Sequence, residues 1–204
     1  MIHATICVCV DEIKLSHNGT TSVAVAETSF CHTSREGECN HLNITVRGYG
    51  ANGNLLGCLE PGTIILVGGS LWIGKTNILE ADTIMLVSGE VYINTVMLIG
   101  RQGKQPDVRH FESGTILSST SICITKNKSE SYWYNIQCWG KTAETLANFG
   151  RKGEMIGFKG SLEINSYIDK SGNPIKCLRV NANSIALLSN KSEQKVAEAV
   201  NVPY

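Results

Sequence analysis

The chain of 204 residues is short of aromatics (6%) and prolines (four), and it has no surplus of either charge, with 18 Lys and Arg against 18 Asp and Glu. A hydrophobic content of 42% still excludes a wholly disordered polypeptide. No run approaches the ~18 apolar residues of a membrane helix. Met1 to Asp11 lack the basic start and apolar core of an export signal, so a soluble, cytoplasmic protein is expected. The eight cysteines contain no Cys-x-x-Cys pair, which removes the common zinc and redox frameworks and predicts reduced thiols, several of them in the core. A hairpin would place Cys31, Cys39 and His41, with His32 adjacent, on one face, but their spacing matches no usual zinc pattern. No metal or other cofactor is therefore expected. The five histidines form no nucleophile or acid–base set, which argues against an enzyme.

What is present is an internal repeat. Asn43 to Gly48 matches Asn135 to Gly140, Pro61 to Leu71 matches Lys152 to Leu162 without a gap, and Glu80 to Ser88 matches Asn181 to Ser189. The expected organisation is two copies of one domain, 1–89 and 90–190, followed by a short flexible tail at 191–204. Ile, Val and Thr recur at period two in these segments, which predicts strands. Only Thr142 to Phe149 has helical spacing, through Ala143, Leu146 and Ala147. Five strands with a short helix after the third predict an all-β chain of two tandem OB-fold Greek-key barrels. Ten fewer residues separate Leu71 from Ser88 than Leu162 from Ser189, so the first copy lacks the extended hairpin between strands 4 and 5.

The charge is unevenly divided. Residues 1–90 carry four basic and nine acidic side chains, a net −5, whereas residues 91–190 carry twelve and seven, a net +5. Such asymmetry is expected when one half meets a polyanion. In the second copy Trp133, Asn135, Gln137 and Trp139 alternate onto one strand face. The tryptophans are then about 20 Å apart at ~3.4 Å per residue, a few nucleotide steps. Lys126, Lys128, Lys141, Lys159 and Lys170 surround that strand and the later hairpin, and Tyr167 precedes the turn-rich Asp169 to Pro174. The first copy places His41, Asn43, Thr45 and Arg47 at the aligned positions, without a stacking platform. Gly69 to Thr76 satisfies the G-x-x-x-x-G-K-[ST] phosphate-loop pattern, but it aligns with a strand and no helix is expected after it.

From Val96 to Ser189 the chain resembles the bacterial single-stranded DNA-binding protein family. The motifs are Gly100 to Arg109, Trp133 to Glu144, Arg151-Lys152-Gly153 and Gly160-Ser161-Leu162. The resemblance implies a protein that coats single-stranded DNA during replication, recombination and repair, associated with the nucleoid. Its stacking aromatics carry over to Trp133, Trp139 and Tyr167, while the aromatic of the strand 2–3 hairpin falls near Lys128. Arg109, inside the first motif, is counted with the binding residues, and the lysines are expected on phosphates because they accompany aromatics. It also implies a homodimer presenting four OB folds, a first copy acting as scaffold or weak binder, and recruitment of replication and repair proteins by the terminal Pro203 and Tyr204. The alternative is an OB-fold adaptor of the replication-restart machinery that binds proteins first and single strands weakly.

Overall fold

The computed structural model describes residues 2–18, 21–33, 37, 39–89 and 92–188. The first copy supplies β1 (Ile2–Asn18), β2 (Thr21–Thr33), β3 (Cys39–Tyr49), α1 (Ala51–Gly57), β4 (Ile64–Trp72) and β5 (Ile78–Leu86). The second supplies β6 (Asn94–Gln102), β7 (Asp107–His110), β8 (Ile116–Asn127), β9 (Glu130–Trp139), α2 (Gly140–Phe149), β10 (Met155–Ile168) and β11 (Pro174–Leu187). Among the described residues no helix is long and apolar enough to cross a membrane.

Each copy closes into a five-stranded barrel. In the first, β1 pairs with β2 and β4, β2 with β3, β4 with β5, and β3 meets β5 in parallel. In the second, β6, β8, β9, β11 and β10 close in the same order, with β7 added at the edge of β8. The chain is thus the all-β, tandem OB-fold protein that the strand pattern implies. Period-two alternation fills both interiors: Ile44 and Val46 point inward on β3, as Tyr134, Ile136 and Cys138 do on β9.

The barrels are joined by an antiparallel ladder between β1 and β6, centred on Ala4–Val96. Exchanging the copies maps the pair Ile2–Leu98 onto Ile6–Asn94, so a local two-fold axis relates the barrels. The outer faces of β5, β4, β1, β6, β10 and β11 therefore form one continuous surface. Side chains reinforce the junction. The buried Tyr134 hydroxyl donates to the Leu71 carbonyl at 2.8 Å. Trp72 packs against Tyr132 with ring centroids 4.9 Å apart, and its indole N–H donates to Glu80.

Pairing corrects part of the sequence alignment. Gly69 and Gly160 occupy matching bulges, where a side chain would collide with the Glu80 and Asn181 carbonyls respectively, as the gapless match requires. In β3 and β9, however, Val46 opposes Leu79 while Ile136 opposes Val180, which shifts the match by two residues. Gly50 and Gly140, with φ of 56° and 54°, then coincide at the helix entrances, and Tyr49 coincides with Trp139. Sliding a strand by two residues preserves which side chains face inward, so alternation alone does not distinguish the registers.

The helix α1 was absent from the sequence periodicity. Its residues include Gly and Asn, poor helix formers, and it is held by burial of Leu56 and Gly53 beneath the barrel rather than by propensity. The phosphate-loop-like segment runs from β4 through a short connection into β5, and no helix opens there.

Candidate nucleic-acid interface

The outer face of β8 and β9 carries the aromatic positions. Trp133 is 56% exposed and Asn135 is exposed, while Gln137, expected beside them on the surface, is buried. Trp133 lies over Gly103, where any side chain would overlap its ring. Trp139, at the end of β9, is half-buried and stacks on Phe111, with centroids 5.7 Å apart and planes at 25°. Phe111 lies just beyond β7, outside any alternating pattern, and nothing in the sequence marks it.

Cross-strand pairing sets an arginine in the row of each ring, with the Arg101 guanidinium donating to the Gly153 carbonyl at 3.1 Å. Arg101 opposes Cys123, which opposes Trp133; Arg109 opposes Leu117, which opposes Trp139. Paired residues share a sheet face, so each tryptophan has a guanidinium two strands away. Lys141 is exposed in the first turn of α2, and Lys128 is exposed in the β8–β9 turn. Arg101 was legible only inside the family motif, and the register assigns it to the Trp133 row.

The long β10–β11 hairpin pairs five residue pairs beyond the point where β4–β5 ends, from Ile164–Leu178 to Ile168–Pro174. Arg179 binds Glu163 at 3.0 Å and Asn165 at 2.9 Å, fixing the base of this arm. Tyr167 is 49% exposed near the tip. The tip turn is ordered by Asp169, whose carboxylate accepts the backbone N–H groups of Asn173 and Ser171 and is held below its usual pKa chiefly by them. Lys170 is exposed in that turn.

Two lysines stand elsewhere. The Lys126 ammonium reaches Glu80 at 2.8 Å and lies 4.6 Å from the centre of the Trp72 ring, so it binds one barrel to the other. Lys159 opposes Met97 and Ser184, on the continuous six-stranded surface rather than on β8–β9. Pro203 and Tyr204 lie outside the described residues.

The expectation of reduced thiols fails at one pair: Cys31 and Cys39 form a disulfide across β2–β3. The hairpin ladder makes this possible by setting Cys31 opposite His41 and Cys39 opposite Thr33, with both sulfurs on one face. Six other cysteines are free.

Two linked barrels, one of them with aromatic side chains along the outer face of a strand, define a tandem OB-fold protein. The profile of the single-strand binding protein family matches residues 93–188. "Single-stranded DNA-binding protein 1" of Synechocystis sp. is 33% identical over 116 residues, covering 54% of this chain and 96% of that protein. "Single-stranded DNA-binding protein B" of Bacillus subtilis is 31% identical over 111 residues, covering 52% and 98%. The crystal structure of wild-type single-stranded DNA binding protein from Thermus aquaticus superposes with a TM-score of 0.67 at 19% identity, covering 93% of this chain and 94% of that one. The chain belongs to the single-strand binding protein family.

Proposed function

We propose that the protein binds single-stranded DNA without strong sequence preference and protects it during replication, recombination and repair, the second barrel making most of the contact. The observation that carries this is the row of Trp133 and Trp139 on β9, each in register with an arginine two strands away on the same sheet face. Bases stack on any aromatic face, and the stack is sequence-tolerant. Trp133, Trp139 and Tyr167 are the stacking groups, with Phe111 backing Trp139. Arg101, Arg109, Lys128, Lys141 and Lys170 serve phosphates. Lys126 is left to the inter-barrel contact. Titration with oligothymidine at several salt concentrations tests the reading: tryptophan fluorescence should quench, and log K should fall by about 0.7 per neutralised phosphate per unit log salt. No quenching and no gel shift at low salt would remove it.

We further infer a homodimer built on the six-stranded outer face. Met97 and Ile99 are 54% and 41% exposed there, and with Gly157, Ala186 and Leu188 they line an apolar cavity of about 200 Å³. On the first barrel the local two-fold axis sets Cys7, Leu66 and Met85 at the matching positions; Met85 is 51% exposed while Cys7 and Leu66 are buried, so the self-complementary contact is centred on the second barrel's Met97 and Ile99. Met97→Glu should convert the dimer to monomer in light scattering; a monomeric wild type would end the inference.

A further inference from the structure

The β2–β3 hairpin carries a side-chain group that single-strand binding does not use. Cys31 and His41 oppose each other across the ladder and Cys39 precedes His41 by two residues, so all three side chains leave one face. Their ligand atoms lie within 4.8 Å of one another, and Cys39 Sγ is 3.5 Å from a ring nitrogen of His41. At the equivalent positions of the second barrel the pair is Thr125–Ser131, two hydroxyls 3.3 Å apart, so the fold itself demands no thiol or imidazole there. Cys138 offers a contrast, because burial pushes its thiol up to about 12 and makes it a core filler. Cys39 and His41 are exposed.

We propose that the reduced hairpin binds one zinc-like divalent cation through Cys31 Sγ, Cys39 Sγ and a nitrogen of His41, and that the Cys31–Cys39 disulfide is the alternative, metal-free state. Two thiolates and an imidazole suit a tetrahedral d¹⁰ ion, with the fourth position open to water. Bonds of ~2.3 Å to sulfur and ~2.0 Å to nitrogen place tetrahedral ligands about 3.5–3.8 Å apart, within side-chain rotation of the observed spread. The interconversion balances with a dithiol reductant. That dithiol gives two electrons and two protons to the Cys31–Cys39 bond and itself becomes a disulfide, leaving two thiols. The cation then displaces both thiol protons to solvent as two metal–sulfur bonds form.

The test uses the full chain, reduced with a phosphine under inert gas and titrated with cobalt(II), whose tetrahedral thiolate complexes absorb by charge transfer and by intense d–d bands. One equivalent should bind with both signals, and zinc should displace it. Cys31→Ser and Cys39→Ser together should abolish the charge-transfer band. His41→Ala should shift the d–d bands and weaken binding. Cys31→His, which keeps three ligands, should retain cobalt with a diminished charge-transfer band. Cys58→Ser, at an exposed free thiol elsewhere, should behave as wild type. Circular dichroism and thermal midpoints separate a failure of ligation from a failure of folding. The proposal is overturned if the reduced chain shows no thiolate band, if the band survives the double serine variant, or if the disulfide form binds cobalt equally.

Discussion

The two barrels share closure, the bulge at Gly69 and Gly160 and helix placement, yet they differ on the outside. Tyr49, 47% exposed, stands where the second barrel has Trp139, and Asn43 stands where it has Trp133. The hairpin β4–β5 stops at Trp72–Ile78, while β10–β11 runs on for five more pairs. The inward side chains that define the barrel are of one kind in both copies, so the fold survived a change of surface. Ligand binding is set by the outward half of each strand, which the core does not constrain.

The largest test of this contrast removes the second barrel's stacking row. Trp133→Ala with Trp139→Ala should cost single-strand affinity about 2–6 kcal/mol, from ~1–3 per stack, whereas Tyr49→Ala should cost less than about 1. Fluorescence anisotropy with a labelled oligothymidine measures both. Comparable effects in the two barrels would make the first a full binding site and erase the asymmetry.

A smaller effect is expected from making the second barrel resemble the first. Replacing residues 164–178 by the short connection of β4–β5 removes Tyr167, Lys170 and Lys176. Affinity should fall by about 1–3 kcal/mol, and the salt slope should flatten by about 0.7 for each phosphate that the arm had neutralised. An unchanged slope would show that the arm's lysines do not meet the backbone of the strand.

Much of this was legible in the sequence, for stated physical reasons. Alternation and the gapless match around Gly69 and Gly160 reported two copies of one strand pattern, and the ten-residue difference reported the missing arm. What escaped lies where alternation is silent. The two-residue shift between β3 and β9 leaves every inward residue inward, so His41 and Arg47 stood in for Asn43 and Tyr49. Gln137 alternates with the tryptophans but is covered, because it sits where β9 pairs with β8 and β11. Phe111 reaches Trp139 only through the turn after β7. The partner of Lys126 is 46 residues away in sequence, and no local pattern announces such a pairing.

That ion pair gives the third prediction. Burial works to raise the Glu80 pKa, but hydrogen bonds from Lys126 and Trp72 and the charges of Lys126 and Arg47 outweigh it and hold the carboxyl below its ordinary value of 4.5. A depressed native pKa means that the stabilisation is complete above 4.5 and drains away as the pH falls through the native value. The side chains of Lys126 and Glu80 are 31% and 27% exposed, so the pair contributes about 0.2–1 kcal/mol, the range of surface bridges. Glu80→Gln should therefore lower the thermal midpoint slightly at pH 7, and the gap from wild type should close as the pH is taken below 4.5. Single-strand affinity at pH 7 should hardly change, because the bridge joins the barrels and lies away from the Trp139 end of the stacking row. Calorimetric midpoints across the acid range measure the effect. A gap that persists unchanged in acid would mean that Glu80 acts through shape and its hydrogen bond to Trp72 rather than through charge.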